Sequence, residues 1–364
     1  MTIKRVIISG GGTGGHIYPA ISIANAMKEI DPSLEFLFVG AEGKMEMEKV
    51  PKAGFQIIGL PIVGIQRTQV WKNVFFPFKL FMSLWKSLKI IQNFKPDVAV
   101  GVGGYASGPL LLAARFLGIP YYIQEQNSFA GITNKALAAK AEHIFVAYPG
   151  MEKFFPAQKI TLSGNPVRKD LINAADKKAQ AAVHFSLDPS KKTILIIGGS
   201  QGARTINQGI LAGLDRLTDA GVQVIWQTGI AFESTAKQAA SGHKNTYVSA
   251  FIYEMDLAYA MADLVISRAG ASSVSEICLI GKASILVPLP SAAEDHQTEN
   301  AKSLVSQNAA ILVRDAEVKE NLITEALTAL QSDLTTLEKN SLRLAKPNAA
   351  HEIAQSILHA WRKS

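Results

Sequence analysis

Val6-Ile7-Ile8-Ser9 runs into Gly10-Gly11-Gly12-Thr13-Gly14-Gly15-His16, and Ile194-Leu195-Ile196-Ile197 runs into Gly198-Gly199-Ser200-Gln201-Gly202. Each stretch is an apolar, β-branched run, then a Gly-Gly-(Thr/Ser)-x-Gly turn, then a helix-like segment. Glycine lets backbone N–H groups turn outward and approach a ligand closely. A helix N-terminus behind the turn adds a partial positive charge. One such turn points to a phosphate binder. Two, one in each half, point to two α/β domains facing across a cleft with anions on both walls.

The surrounding chain repeats the alternation of strand and helix. Candidate strands in the first half are Arg5–Ser9, Glu35–Val39, Gln56–Leu60, Asp97–Gly101, Tyr121–Gln124, His143–Val146 and Lys159–Ser163, with helical stretches such as Tyr18–Ile30 and Gly108–Leu117 between them. The pattern restarts at Thr193–Gly198 and continues through Gln223–Gln227, Thr246–Ser249, Leu264–Ser267, Ser284–Val287 and Ala310–Val313. Such alternation predicts an α/β protein with doubly wound parallel sheets covered on both faces. Gly164-Asn165-Pro166 and Lys346-Pro347 punctuate the chain, so the expected domains are 1–163 with 347–364, and 164–346. The last helix, Asn348–Arg362, would then cross back to the first domain.

Composition narrows the class. The 364 residues are 48% apolar and 18% charged, which fits a globular chain with ample core. Cys278 is the one cysteine, so no internal disulfide forms, and a reducing compartment fits best. No secretory leader is expected, because Lys4-Arg5 leads straight into the first strand, and no apolar run is long enough to span a bilayer. The net charge of +7 favours anionic partners.

Gly10 to Gly15 also satisfies G-x-G-x-x-G, the dinucleotide fingerprint. That fingerprint needs an acidic residue ending the second strand, and here only a displaced Glu42 is on offer. A third cluster, Gly101-Val102-Gly103-Gly104-Tyr105-Ala106-Ser107-Gly108-Pro109, follows another strand, and Pro109 suits the first turn of a helix. Two glycine turns at strand carboxyl ends in one half could hold a pyrophosphate between them.

The ordered series GGGTGGH at 10–16, GVGGYASGP at 101–109, EQNSFAGITNK at 125–135, GNPVR at 164–168, GGSQGAR at 198–204, SRAGASSVSE at 267–276 and DHQTENA at 295–301 resembles the peptidoglycan N-acetylglucosaminyltransferases of glycosyltransferase family 28. The resemblance covers nearly the whole chain. It implies a GT-B fold of two Rossmann-like domains, the first facing acceptor and membrane and the second binding UDP-GlcNAc. It further implies inverting transfer of N-acetylglucosamine to the MurNAc 4-hydroxyl of undecaprenyl-pyrophosphoryl-MurNAc-pentapeptide, or lipid I. No cofactor or catalytic metal is implied, and the sequence has no DxD triplet. The implied location is peripheral, on the cytoplasmic side of the bacterial plasma membrane. Cell-wall and division proteins are implied as further partners, and nucleic acid is not.

Residue by residue, the resemblance puts Ser200 and Arg168 on the donor diphosphate, the Ile252 backbone on the uracil edge and Glu276 on the ribose hydroxyls. It puts Gln297 on the sugar, with Ala271, Ser272, Ser273, Val274 and Ser275 opening a helix beside the donor. Thr13, Gly14 and Gly15, with Gly103, Gly104 and Tyr105, would cradle the acceptor pyrophosphate; Thr13 to Gly15 also border the donor, and Thr133 and Asn134 are weaker additions. His16 is the expected general base, because its unperturbed pKa suits proton removal near neutrality. Asn127 belongs at the donor sugar or the acceptor, and Glu125 either orients His16 or binds substrate. The family commonly has His where this chain has Gln124, which moves weight to His16.

Trp71 to Lys89 is rich in aromatic residues, and with Pro77 near its start a helix is expected to about Asn93. At about 100° per residue, Leu80, Leu84, Leu88 and Ile91 share an expected core face. Phe78, Met82 and Trp85 form a neighbouring stripe with Phe75 ahead of it, flanked by Lys79, Lys86 and Lys89, a pattern suited to an anionic bilayer surface. Competing readings are a transferase with another acceptor, a UDP-GlcNAc 2-epimerase, and a non-catalytic membrane scaffold.

Overall fold

Short apolar runs with no polar face can be strands only where both faces are covered, and both halves of the chain solve that problem the same way. The computed structural model describes residues 3–64, 74–168, 171–172, 174–199, 202–292 and 295–360. It divides into residues 1–167 with 346–364, and residues 168–345.

The first unit runs β1 (Arg5–Ser9), α1 (Gly14–Ile30), β2 (Glu35–Ala41), α2 (Glu46–Lys52), β3 (Gln56–Leu60), α3 (Phe76–Phe94), β4 (Val98–Gly101), α4 (Ser107–Phe116), β5 (Tyr121–Glu125), α5 (Ile132–Leu137), β6 (His143–Val146) and β7 (Ile160–Leu162). Its seven strands lie in the order β3-β2-β1-β4-β5-β6-β7, all paired in parallel. Alternate residues of β1 enter two separate cores. Ile7 packs with Leu37, Ala99 and Ile123 on one face, and Val6 and Ile8 pack with Phe38, Val98 and Val100 on the other.

The second unit continues with α6 (Lys178–Phe185), β8 (Thr193–Ile197), α7 (Arg204–Asp219), β9 (Gln223–Gln227), α8 (Glu233–Ala240), β10 (Thr246–Ser249), α9 (Met255–Met261), β11 (Leu264–Ser267), α10 (Ala271–Ile280), β12 (Ala283–Leu286), α11 (His296–Val305), β13 (Ile311–Leu312), α12 (Val318–Gln331) and α13 (Thr335–Arg343). Its strand order is β10-β9-β8-β11-β12-β13, again parallel throughout.

The order reverses between β1 and β4 in one sheet and between β8 and β11 in the other. Both reversals carry the same support at their amino ends. Asp97 Oδ2 accepts the N–H groups of Lys4 (2.7 Å) and Arg5 (2.8 Å), and Asp263 Oδ2 accepts that of Thr193 (2.8 Å). At the carboxyl ends the connections leave toward opposite faces, opening the crevice where such sheets bind ligands.

Two local differences from the sequence expectation have physical causes. Helix α1 starts at Gly14, not Tyr18, because the Thr13 carbonyl already accepts the N–H groups of His16 (3.1 Å) and Ile17 (3.2 Å). His16 therefore stands in the first helical turn. In α3 the inward stripe is Ser83, Ser87, Ile90 and Ile91, with Leu84 and Leu88 packed partly against the core, and Leu80 is 38% exposed. The two serines permit a close approach that Leu80 does not share. The edge strands β7 and β13 are also shorter than expected, while the opposite edge strands β3 and β10 keep their expected bounds.

After α13 the chain returns to the first unit as α14 (Ala349–Ala360), whose buried Ile353, Ala354 and Ile357 join the core under α1. Truncating Ile353 to Ala should therefore destabilise the first unit by about 2–5 kcal/mol, as buried Ile-to-Ala changes do. Urea unfolding followed by a probe in that unit checks this.

Candidate functional site

In the first unit the turn after β1 meets the turn after β4 backbone to backbone. Gly11 N–H donates to the Gly103 carbonyl (3.4 Å), and Val102 N–H donates to the Ser9 carbonyl (2.7 Å). The Ser107 hydroxyl donates to the carbonyls of Ser9 (2.9 Å) and Gly103 (2.8 Å). Gly104, at φ +88°, comes so near that a Cβ would lie 2.2 Å from the Gly11 carbonyl oxygen. The contact needs glycine for its conformation and for its size.

His16 lies across this junction. Its Nδ1 is 3.1 Å from the Thr13 hydroxyl oxygen. Its other ring edge rests on Gly103, where a Cβ would be 2.7 Å from Cδ2 and 3.0 Å from Nε2. The Gln126 side-chain oxygen stands on the same glycine, 3.5 Å from that Cβ position. Tyr105 is half exposed, its ring against Gly12 and Gly64. Thr13, Gly14, Gly15, His16, Gly103, Gly104 and Tyr105 thus share one end of one sheet.

Beneath the first turn sits a residue that sequence reading missed. Glu46 is completely buried; its Oε2 accepts the Gly12 N–H (3.0 Å) and its Oε1 the Ala41 N–H (3.0 Å). Glu42, the acid the fingerprint would have used, instead pairs with Lys86 (2.9 Å).

Glu125 ends β5 fully buried. Its carboxylate accepts the N–H groups of Gly131 (3.0 Å) and Asn127 (3.2 Å) and the side-chain amides of Asn134 (2.9 Å) and Asn127 (3.5 Å). Those bonds order the 125–134 segment around it, with Thr133 packed near Gly108. Burial pushes the Glu125 carboxyl above its ordinary value of 4.5, and the donors from Gly131, Asn134 and Asn127 pull the other way. Gln124 is also buried: its side-chain oxygen accepts from Gln126 and its amide donates to Asn165 Oδ1 (3.5 Å). Gln126 in turn donates to the Val102 carbonyl (2.6 Å), tying β5 to the turn that carries His16's support.

The second unit builds its own site at β8 and β11. Ser200 and Gln201 lie outside the described residues. Gln227 binds both sides of this end: its amide donates to the Gly199 carbonyl (3.2 Å) and its oxygen accepts the Ile252 N–H (3.1 Å). Asn207 donates to the Thr228 carbonyl (2.7 Å) and accepts from Trp226 Nε1 (2.9 Å). After β11, Asn300 donates to the Ala269 carbonyl (3.1 Å), and the Arg268–Asp315 pair (2.5 Å) braces the same end. Helix α10 follows, so Ala271, Ser272 and Ser273 fall in its first turn and Val274, Ser275 and Glu276 just behind. The Ser272 hydroxyl is buried with no hydrogen-bond partner among the described residues.

Glu276 Oε2 accepts the Tyr259 hydroxyl (3.1 Å). Burial, reinforced by that carboxylate, holds the Tyr259 phenol well above its ordinary value, while Arg168 opposes the shift. Tyr259 is therefore a fixed donor to Glu276. Gln297, on α11, accepts the Leu289 N–H (3.0 Å) through its oxygen. Among the described residues no group of three or more His, Cys, Asp or Glu side chains is placed to hold a metal ion.

Trp71 is outside the described residues. From Val74 onward the aromatic segment shows Phe75, Phe78 (64% exposed), Phe81 (65%) and Trp85 (48%) on the surface. Met82 and Lys79 are half-buried, and Lys89 Nζ sits 3.5 Å from the Trp85 ring centroid. Phe81 was not assigned to the sequence-based stripe. No described helix is long and apolar enough to cross a membrane.

Residues 6–146 match the Glycosyltransferase family 28 N-terminal domain, and residues 193–357 match the Glycosyltransferase family 28 C-terminal domain. A Bacteroides fragilis protein named UDP-N-acetylglucosamine–N-acetylmuramyl-(pentapeptide) pyrophosphoryl-undecaprenol N-acetylglucosamine transferase is 55% identical over 99% of this chain and 96% of its own. A Bacteroides thetaiotaomicron protein of the same name is 55% identical over 97% of each. The crystal structure of Acinetobacter baumannii MurG matches at a TM-score of 0.76 and 29% identity, over 98% of this chain and 99% of that one. A UDP-GlcNAc 2-epimerase from Neisseria meningitidis, bound to UDP-GlcNAc, matches at a TM-score of 0.68 over 98% and 100% of the two chains. At 16% identity that likeness concerns the fold alone. The two parallel-sheet domains are those of the GT-B fold expected from the sequence.

The raised Glu125 carboxyl has a consequence for stability. An acid with a higher pKa folded than unfolded binds more protons in the native state, so its contribution is complete below 4.5 and lost as pH rises through the folded value. Urea unfolding of the wild type and Glu125→Gln across that range should show the wild type losing ground to the variant as pH rises, then a plateau. A constant difference would remove the burial argument.

Proposed function

We propose, from the premise that this chain belongs to glycosyltransferase family 28, that it transfers N-acetylglucosamine from UDP-GlcNAc to the MurNAc 4-hydroxyl of lipid I, giving lipid II. The full-length likeness to the Bacteroides transferases carries the assignment of substrates. The position of His16 across the two glycine turns carries the assignment of the base.

In this reading the second unit takes the donor. Uracil meets the Ile252 backbone, where the N–H is held by Gln227 and the carbonyl is the group offered to the base. Glu276, fixed by Tyr259, accepts the ribose hydroxyls. Arg168, Ser200 and the first turn of α10, with Ala271, Ser272, Ser273, Val274 and Ser275, surround the diphosphate and the sugar. The Gln297 amide nitrogen reaches a sugar hydroxyl. The buried Ser272 hydroxyl supports this reading, because it is a polar atom at a helix N-terminus awaiting an acceptor.

The first unit takes the acceptor. The Gly11 and Gly12 N–H groups are engaged within the protein, while those of Thr13, Gly14 and Gly15 precede the hydrogen-bond ladder of α1. The acceptor pyrophosphate then rests on that first turn, beside Gly103, Gly104 and Tyr105. Asn127 and Glu125 border the acceptor or the donor sugar, with Glu125 acting chiefly by ordering its own segment.

The chemistry is a single inverting displacement. The proton of the MurNAc 4-hydroxyl passes to His16 Nε2 as the oxygen attacks C1 of N-acetylglucosamine from the face opposite UDP. The C1–oxygen bond to the diphosphate breaks, and UDP leaves with the electron pair. Negative charge grows on the diphosphate, so Arg168, Ser200 and the α10 N-terminus lower the barrier more than they tighten ground-state binding. No metal takes part in this route.

The aromatic surface of α3 supplies the membrane contact. Phe75, Phe78, Phe81 and Trp85 enter the interface, with Met82 beneath them and Lys79, Lys86 and Lys89 near lipid phosphates. The enzyme then lies peripherally on the cytoplasmic face of the plasma membrane, among the cell-wall and division proteins.

Transfer of radiolabelled N-acetylglucosamine to lipid I should proceed in EDTA. His16→Ala should lose about 10²–10⁴ in turnover with UDP-GlcNAc affinity retained. A wild type that binds UDP-GlcNAc yet transfers nothing to lipid I would overturn the acceptor assignment. For the membrane face, Phe78→Ser/Phe81→Ser/Trp85→Ser should cut sedimentation with phosphatidylglycerol vesicles by at least about tenfold, given about 1.5–3 kcal/mol for each large apolar side chain fully buried.

A further inference from the structure

Glu46 is a buried carboxylate that the reaction above does not use. It opens α2, is completely buried, and forms no ion pair among the described residues. A buried charge without a cation is costly and persists where its hydrogen bonds are needed. Its two oxygens take N–H groups from two separate segments: Ala41 at the end of β2, and Gly12 in the turn after β1. A neutral glutamine would fill the same volume with one acceptor instead of two.

Two glycines make room for this group. A Cβ on Gly11 would lie 2.2 Å from Glu46 Oε1, and one on Gly40 would lie 2.6 Å from Glu46 Cγ. The residue after Gly12 is Thr13, whose carbonyl accepts the N–H groups of His16 and Ile17 and whose hydroxyl meets His16 Nδ1. The carboxylate therefore holds the Gly11–Gly12 peptide, and the chain reaches Thr13, which carries both His16 contacts, one residue later.

We propose that Glu46 is a positioning residue for His16: by binding Gly12 and Ala41 together it sets the Thr13–His16 geometry in which the imidazole faces the acceptor hydroxyl. The proposal rests on the reading of His16 as general base. It also accounts for the turn accepting phosphate at Thr13–Gly15 and not at Gly12, because the Gly12 N–H is already satisfied.

The test is a double-mutant cycle on lipid I transfer, with kcat and both KM values measured for wild type, Glu46→Gln, His16→Ala and the double variant. Glu46→Gln should lower kcat about ten- to a hundredfold, the scale of a small misplacement of a reacting group. The KM for UDP-GlcNAc, a ligand of the other unit, should stay within about twofold. In the His16→Ala background the same substitution should change kcat by less than about twofold, because the group it positions is gone. A purely structural role would give the same factor in both backgrounds. That result, or wild-type kcat in Glu46→Gln, overturns the proposal with the base reading intact. Wild-type kcat in His16→Ala alone overturns the base reading and this proposal with it. Should Glu46→Gln fail to fold, Gly11→Ala serves in the same cycle. Gly11 is outside the left-handed region, and its new Cβ would displace the flexible carboxylate with the charge retained. It should show the same loss and the same non-additivity.

Discussion

Parallel pairing of β1 with β4, and of β8 with β11, is the constraint on which the rest of the molecule depends. In each sheet the chain builds outward from the first strand in one direction, then returns to its other side and builds in the opposite direction. The loops leaving the two central strands must part, and the backbone that lines the gap has no side chains from neighbouring strands to fill it. Glycine turns and helix N-termini are what can occupy such a place. The Asp97 and Asp263 carboxylates secure the opposite ends of the same strands, so the gap is held open by the sheet and not by the loops.

Much of this was legible because its cause is local. Val6–Ile8 and Ile194–Ile197 are buried on both faces, and only continuous β-branched runs satisfy that requirement. The start of α1 was harder to read. Gly14, Gly15 and Pro19 are poor helix formers, and the Thr13 carbonyl overrides their propensity. Leu80 was misjudged because a helical wheel does not record how closely a neighbouring helix approaches. Ser83 and Ser87 let α3 sit down on a face rotated away from Leu80.

At the candidate site, sequence order alone brought Thr13, His16, Gly103 and Gly104 to one strand end. It did not show Gln126, Gln227, Tyr259 or Glu46, whose roles are long-range hydrogen bonds. Glu46 is the instructive case. Glu42 stands where an acid at the strand end would be sought, but it lies in the turn before α2 and pairs with Lys86, while Glu46, the first residue of α2, reaches the loop. The distinction is the path of the chain from β2 into α2, which the sequence pattern does not record. Gly11 and Gly40 hold the corresponding trace in the sequence, as positions kept small by a carboxylate instead of by a ligand.

The two turns share a sequence pattern and differ in what supports them. The first rests on a carboxylate, Glu46, and the second on a neutral amide, Gln227. On the proposed reaction that difference has an electrostatic reason. A fixed negative charge roughly 8 Å from a diphosphate costs about 2 kcal/mol per unit charge at an effective dielectric near 20. Under the second turn that cost would grow as UDP departs, and so would slow the reaction. Under the first turn it falls on the acceptor's pyrophosphate, whose charge does not change during transfer. It therefore weakens ground-state binding and leaves the barrier from the bound state alone. A lipid-linked acceptor, concentrated at the surface where the aromatic face of α3 would rest, tolerates weak binding better than a soluble donor does. A carboxylate beneath the nucleophile's turn and an amide beneath the leaving group's turn is the distribution this displacement favours.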